Sequence, residues 1–164
     1  MSLKILDLFR ASEAISDSTF DVVKKFAVTC GCSGYLALLE THVFDESQLT
    51  DLLASLMKID RIYNVSTLSV STDLLASLPY ELALKFECLP LNLSHAGGQK
   101  HEVLFADPTD EEAQVRLRQL LGCELSLAVG ERSDIVNAIN RLYPVERQLP
   151  SLGDLHVRRP TDGQ

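Results

Sequence analysis

At 164 residues, the chain is long enough for one domain, or for two small subdomains that pack together. Its formal net charge of −8 argues against nucleic acid as a partner, because a protein that binds the phosphate backbone needs a basic face. No apolar run approaches the roughly 20 residues that span a bilayer, and no signal peptide precedes the first predicted helix. These features predict a cytoplasmic domain whose four cysteines stay reduced.

The N-terminal part of the chain has the apolar spacing and the capping residues of short helices. Residues at three- and four-residue spacing form apolar stripes, which are more typical of a core than of a docking surface. The predicted elements are a first helix over Leu3–Phe9, a second between an N-cap at Ser16 and a stop at Gly31, a third over Tyr35–Thr41, and a fourth that begins with the capping box of Asp45 and Gln48.

After an extended connection over Ile59–Thr72, the pattern alternates between helix and strand. Pro79 and Pro108 fit the first turn of a helix, Asp107 fits an N-cap, and Gly122 fits a helix end. The predicted elements are a helix from Pro79 to about Glu87, strands over Cys88–Leu93 and His101–Ala106, a helix from Asp107 to Gly122 with Leu120 on its buried face, a strand over Glu124–Val129, and a helix from Ser133 to Leu142.

This order predicts an α+β fold, in which an N-terminal helical subdomain packs on a small α-β-β-α-β-α subdomain. Because the first two strands are consecutive and form a hairpin, we expect a mostly antiparallel sheet with its helices on one face. The predicted limits are 1–60 for the helical subdomain, 61–143 for the α/β subdomain and 144–164 for a mobile tail or linker.

The sequence carries no recognisable catalytic motif. There is no phosphate-binding loop, and Gly97-Gly98-Gln99-Lys100, the nearest imitation, is better explained as a hairpin turn. His95 and His101 flank that hairpin, but no acid or cysteine converges with them to complete a metal site. We therefore expect no enzymatic activity, no cofactor and no bound metal.

Four ordered blocks carry a family resemblance. They are Pro79–Ala83 followed by Leu89–Leu91, Ala106–Asp110, Leu117–Gly122 and Ile135–Tyr143. Together they resemble the N-terminal domain of type II secretion and type IV pilus assembly ATPases, without the ATPase machinery itself. Pro79, Asp107, Pro108, Asp110 and Gly122 are the structural positions of this pattern. Asp107 is expected to cap a helix, and the alternative is a ligand or partner contact.

In the relatives that bind cyclic di-GMP, the first part of the domain holds two copies of a motif that begins Arg-Leu-Gly and contains a central glycine. Aligned on those copies, this chain has Lys4 and Ser33 at the arginine positions, and Glu13 and His42 at the central glycine. The helices are retained, whereas the ligand-contacting residues are not. Lys4, Ser33 and Gly34 remain as the candidates for contact with a nucleotide.

The resemblance implies a non-catalytic interaction or regulatory module. Such a module would dock onto an inner-membrane platform component or onto the assembly ATPase, and so lie close to the membrane through its partner. The rival interpretation is a cyclic di-GMP receptor with a divergent site, and a third is a helical half that serves for dimerisation. Whether the chain is a fragment of a larger ATPase or a stand-alone adaptor stays open.

Overall fold

The computed structural model describes residues 2–91 and 100–145. The predicted turn over 94–99 and most of the predicted tail, 144–164, lie outside the described residues. Eight helices are described: α1 Lys4–Ala11, α2 Asp17–Cys30, α3 Gly34–Glu40, α4 Glu46–Met57, α5 Thr72–Ser77, α6 Tyr80–Phe86, α7 Glu111–Leu121 and α8 Arg132–Leu142. The described strands are β1 Asp60–Arg61, β2 Cys88–Pro90, β3 Lys100–Phe105 and β4 Glu124–Val129, and a 3-10 turn covers Val65–Thr67.

The caps predicted for the N-terminal helices are confirmed. The Ser16 hydroxyl accepts a hydrogen bond from the Thr19 amide at 3.2 Å, which satisfies a free donor at the start of α2. At the start of α4, Asp45 and Gln48 exchange bonds of 2.8 and 3.0 Å and complete the capping box. Gly31 ends α2 in the left-handed conformation, with φ of +67°.

The four N-terminal helices form two similar helix pairs, α1–α2 and α3–α4. Glu13 and His42 follow the first helix of each pair with φ of 61° and 56°, a conformation that favours glycine. At this point of each pair the amide of Ala14 bonds the carbonyl of Phe9, and that of Val43 bonds the carbonyl of Leu38. The two positions therefore share one backbone conformation and one hydrogen-bond pattern, although neither residue is glycine.

The sheet is mixed, and the prediction of a mostly antiparallel sheet is wrong. The strand order is β1-β4-β3-β2; only β2 and β3 pair antiparallel, as the predicted hairpin requires. Both β3–β4 and β1–β4 are parallel. The physical reason is that α7 connects β3 to β4, and a helical crossover returns the chain in the same direction. Pro90 lies in β2, an edge strand, as its missing amide donor predicts.

The prediction that all helices cover one face of the sheet is also wrong. Val103, Leu104 and Phe105 are consecutive in β3, so their side chains alternate between the two faces. All three have 0% exposure, which requires cover on both faces. On one of these faces, the space beside Gly130 is filled by Leu104 together with Val65 and Ile135, from the 3-10 turn and α8.

Several predicted helix starts are displaced. The N-cap of α7 is Asp110, which accepts from the Ala113 amide at 3.2 Å, so neither Asp107 nor Pro108 has its predicted place in the helix. Pro79 is the N-cap of α6 rather than its first residue. Leu120, predicted to be buried, is 40% exposed. Local capping chemistry fits Asp107 and Asp110 equally well; in the structure Asp107 accepts from Thr109 within the turn, and Asp110 caps the helix.

Two further differences concern the connection and the last helix. Helix α5 was not predicted, because its short sequence carries only one turn and a half of apolar pattern. Helix α8 begins at Arg132, one residue before the predicted Ser133, and its N-cap makes no side-chain hydrogen bond. Instead, Glu46 of α4 accepts from the amide and the hydroxyl of Ser133 at 3.2 and 2.6 Å. A helix of the N-terminal half thus caps the last helix of the chain.

One continuous cluster of buried apolar side chains runs through both halves of the chain, from Ile5 to Tyr143. The domain limits of 1–60, 61–143 and 144–164 stay a prediction. Across the described ranges, no single helix has the length and apolar composition to cross a membrane. The bent pair of α2 and α3, with 107° between its helices, passes that test only when the two are counted together.

Arg61 joins three elements at the edge of the sheet. Its guanidinium pairs with Asp51 of α4 and, at 2.8 Å, with Glu131 at the N-cap of α8, and it donates to the Ser47 carbonyl at 3.1 Å. The side chain is only 9% exposed, so water competes little for these contacts. The guanidinium also lies over the Tyr63 ring, 4.6 Å from its centroid.

We predict that Arg61→Met lowers the free energy of unfolding by about 2–4 kcal/mol, because Glu131 and the Ser47 carbonyl lose their buried donor. The matched control is Arg118→Met, which removes a 42% exposed arginine that pairs with Glu124 at 3.7 Å, and should cost less than about 1 kcal/mol. Urea denaturation of the two variants measures both values. Equal losses would show that Arg61 does not hold the three elements together.

Candidate functional site

A cleft of about 350 Å³ lies where the N-terminal helices meet the α/β part of the chain. We call it the junction cleft. One wall comes from the α2–α3 turn, and the other from the end of α6 and the turn before α7. Its lining residues are Ser2, Gly31, Cys32, Ser33, Tyr35, Leu36, Lys85, Phe86, Glu87, Asp107, Asp110 and Glu112.

Local backbone geometry places both walls. On the first, Gly31 turns the chain out of α2, and the Ser33 hydroxyl then accepts from the Leu36 amide at 3.2 Å to begin α3. On the second, Glu87 ends α6 with φ of 48°, a conformation that few residues other than glycine adopt. This backbone places the Glu87 side chain at the cleft.

Glu87 is held there by Arg132 of α8, whose Nε donates to the Glu87 carboxylate at 2.6 Å. Burial raises the pKa of Glu87 above its ordinary value, although Arg132 opposes the shift. Because Arg132 is already paired with Glu87, it adds little positive charge to the cleft.

Asp107 organises the turn that leads into α7. Its Oδ1 accepts from the Thr109 amide at 3.0 Å and also from the Thr109 hydroxyl. Burial raises the pKa of Asp107 to about 6; the bonds from Thr109 oppose this shift, and the nearby charges of Asp110 and Glu87 add to it. Near neutral pH, ionisation of the buried Asp107 carboxylate therefore lowers the stability of the folded state.

Tyr35 carries an unpaired polar atom at the junction cleft. The residue is 1% exposed, and its hydroxyl has no hydrogen-bond partner among the described residues. Burial raises the pKa of the phenol, and the neighbouring carboxylates of Glu46, Glu87 and Asp107 raise it further. The hydroxyl thus stays neutral, and a buried hydroxyl without a partner costs about 1–3 kcal/mol.

The structure places the three residues that the sequence offered for nucleotide contact in different surroundings. Lys4 pairs with Glu111 at 2.9 Å in a depression beside the junction cleft. Ser33 lines the cleft, but its hydroxyl caps α3. Gly34 is buried, and a Cβ there would come within 2.9 Å of Ile5 and Leu6, so the close approach of α1 and α3 requires glycine. All three have structural roles.

Of the five structural motif positions, Asp107 and Asp110 line the junction cleft, and Pro79, Pro108 and Gly122 do not. Gly122 ends α7 with φ of +67°, as predicted. Sequence reasoning missed Tyr35 and Glu87 as site residues. The burial of a tyrosine hydroxyl without a partner depends on the packing of distant elements, and no local pattern signals it.

A second depression, of about 590 Å³, adjoins the junction cleft and shares Lys85, Phe86 and Glu112 with it. We call it the α6–α7 groove. Its apolar surface comes from Leu82, Phe86 and Val115, of which Val115 is 48% exposed. The remaining lining residues are Lys85, Glu111, Glu112, Arg116 and Gln119.

Neither metal nor thiol chemistry finds support at these surfaces. In the described ranges, no three His, Cys, Asp or Glu side chains converge in a way that could hold a metal ion. Cys32 lines the junction cleft, and burial raises the pKa of its thiol, which keeps it in the unreactive protonated form. Cys88 is buried, and its thiol pKa is raised to about 12. His95 lies outside the described residues, so the histidine pair at the hairpin stays a prediction.

Solved structures with a similar mixed α+β architecture are known. A structure of MshE described as being with cdg, which is cyclic di-GMP, superposes with a TM-score of 0.65 at 21% identity, over 85% of this chain and 98% of that chain. Two crystal forms of the N-terminal domain of XpsE give TM-scores of 0.58 and 0.67, at 22% and 19% identity. They cover 85% and 86% of this chain, and each match covers 94% of the XpsE chain.

The family model of the MshEN domain matches residues 61–149. The chain belongs to the MshEN domain family, and the expected kinship with the N-terminal domains of secretion and pilus assembly ATPases is confirmed. No curated protein gives a significant sequence match.

We predict that Asp107→Asn flattens the pH dependence of stability between about pH 4 and pH 6. In the wild type the folded state binds more protons than the unfolded state in this window, since burial raises the Asp107 pKa to about 6. Stability therefore falls as pH rises, by at most about 3 kcal/mol. Asparagine keeps the acceptor for Thr109 and removes the titration.

Urea denaturation across this pH range measures the effect as the difference between variant and wild type. Asp21→Asn, an exposed substitution on α2, is the control and should leave the slope unchanged. An Asp107→Asn variant with the same slope as the wild type would show that the carboxylate titrates normally.

Proposed function

We propose that this domain is a non-catalytic docking module of a secretion or pilus assembly system. It binds, on the cytoplasmic side, either an inner-membrane platform component or the assembly ATPase. Membership of the MshEN domain family supports this role, since the family comprises the N-terminal domains of assembly ATPases. The sequence also contains no phosphate-binding loop.

The α6–α7 groove is the observation that carries the proposal. Its apolar floor consists of the exposed Val115, the half-buried Leu82 and the largely buried Phe86. Its charged rim carries Glu111, Glu112, Lys85 and Arg116. Apolar side chains that are exposed next to charged residues are typical of protein interaction sites. The core does not need Val115, because Ala113 and Leu117 are the residues that α7 buries.

The charges of the rim also bear on the occupant of the groove. Glu111 and Glu112 of α7 are acidic, whereas Lys85 and Arg116 are basic. A partner segment with apolar residues for the floor and charged residues of both signs for the rim matches this surface.

We predict that Val115→Glu weakens binding to the cytosolic domain of the platform protein, or to the ATPase, by at least about tenfold. The substitution places a charge on the apolar floor, and the loss of one well-packed contact residue costs more than about 1 kcal/mol. Isothermal titration of the 164-residue chain against each candidate partner measures the affinity.

The matched control is Val22→Glu, which alters a 63% exposed valine on α2. It should bind the partner like the wild type. Absence of a complex with either partner would refute the docking function, and equal weakening by both variants would refute the α6–α7 groove as its surface.

A second candidate function is reception of cyclic di-GMP through a divergent site. One observation favours it: the chain superposes with a TM-score of 0.65 on MshE with cdg. Glu13 and His42, which align with the central glycines of the motif, also adopt the positive φ that favours glycine. Against it, Lys4 pairs with Glu111, and Ser33 offers no charge for a phosphate.

Calorimetry with cyclic di-GMP distinguishes the two functions. We expect no binding heat at tens of micromolar ligand, because neither arginine position of the motif carries a free cation. Saturable heat in this range, lost on Ser33→Leu but retained on the exposed control Ser18→Leu, would establish the receptor function instead.

A further inference from the structure

We propose that the junction cleft binds the guanidinium group of an arginine side chain contributed by the protein partner. This inference rests on the docking function proposed above and specifies the chemistry of one contact. The junction cleft opens beside the α6–α7 groove, with Lys85, Phe86 and Glu112 shared between them. A segment lying in the groove can therefore reach the cleft with one long side chain.

The charge of the cleft selects a cation. Four carboxylates line it, from Glu87, Asp107, Asp110 and Glu112, whereas Lys85 is the sole cationic side chain among its described lining residues. Arg132 pairs with Glu87, and Lys85 lies 3.9 Å from Glu112, so Asp107 and Asp110 supply the remaining negative charge. Such a site disfavours an anion and favours a group that brings a positive charge.

The buried hydroxyl of Tyr35 is the independent observation that points to a ligand. Nearly all buried polar groups in proteins have a hydrogen-bond partner, so an unpaired phenol that lines a cleft needs an explanation. Its oxygen has free lone pairs, and an N–H donor from a ligand would satisfy them. The tyrosine is 1% exposed and lines the cleft, so that donor must enter through the cleft and displace the side chains that cover the hydroxyl.

The available acceptors match a forked donor. The hydrogen bonds that the described residues make to Asp107 and Asp110 all end on Oδ1, which leaves each Oδ2 for a ligand. A guanidinium carries five N–H donors in one plane and can bond two carboxylates and a phenol together. An ammonium offers three donors around one point and is more strongly hydrated, so lysine fits the cleft less well.

A nucleotide shares part of this chemistry, since a guanine edge also presents neighbouring N–H donors. However, a cyclic dinucleotide brings two phosphates, and the cleft offers them only Lys85, which is itself 3.9 Å from Glu112. Like charges in proximity oppose binding. The arginine side chain satisfies the same acceptors without this penalty.

The test is a titration of the isotopically labelled 164-residue chain with N-acetyl-argininamide, followed by amide chemical shifts near neutral pH. N-acetyl-citrullinamide provides a neutral probe of the same shape, and N-acetyl-lysinamide provides one of the same charge. We expect saturable shifts at Gly31–Leu36, Phe86–Glu87 and Asp107–Asp110 with the arginine probe. The citrulline probe should give none, and the lysine probe should bind more weakly.

Tyr35→Phe should weaken binding of the arginine probe about three- to tenfold, the effect of one hydrogen bond. The matched control is Tyr63→Phe, which alters a 68% exposed tyrosine and should leave the affinity unchanged. Asp107→Asn provides a second variant that lowers the charge of the cleft while keeping the acceptor for Thr109, and it should also weaken binding.

Shifts that do not saturate, that spread over the surface, or that are equally strong with the citrulline or the lysine probe would overturn the assignment. So would an affinity that Tyr35→Phe leaves unchanged, or micromolar cyclic di-GMP that shifts the same amides. The arginine contact and the docking function can fail separately. If a partner binds Tyr35→Phe normally but does not bind Val115→Glu, the arginine contact is refuted and the docking surface is retained.

Discussion

The buried guanidinium of Arg61 joins α4, β1 and the N-cap of α8, and so links the N-terminal helices to the rest of the chain. It holds Glu131 at 2.8 Å, and the next residue, Arg132, holds Glu87 at 2.6 Å. Glu87 forms part of the wall of the junction cleft. Glu46 reinforces this connection, because it caps α8 from the same helix that presents Asp51 to Arg61.

Much of this fold follows from the sequence because its helix boundaries are set locally. Ser16 and Asp45 accept bonds from amides three residues later, and Gly31 and Gly122 adopt a conformation that few other residues tolerate. Such signals need no knowledge of distant contacts. The hairpin of β2 and β3 is local in the same sense. The order of the remaining strands is not, because β1 pairs with β4 although three described helices and two described strands separate them in the sequence.

The site was less predictable than the helices, because contacts between residues distant in the sequence form it. Asp107 reads as a helix cap, and only the turn held by Thr109 shows that Asp110 performs this role. That turn leaves Asp107 at a cleft, where burial makes its ionisation costly. Tyr35 occupies a glycine position of the motif and carries no sequence signal for a site. Both residues acquire their chemistry from elements distant in the sequence.

The N-terminal helix pairs show that a turn can hold a positive φ without glycine. Glu13 and His42 both do so, although this conformation is strained for residues other than glycine by roughly 1 kcal/mol. In each turn a backbone hydrogen bond follows directly, from the amide of Ala14 to Phe9 and from that of Val43 to Leu38, and it fixes the path of the backbone. Lys4 pairs with Glu111 and Ser33 caps α3, so both side chains are engaged within the fold. The junction cleft between these helices and the α/β part is lined by four carboxylates and one lysine, and its electrostatic potential therefore favours a cationic group over an anionic one.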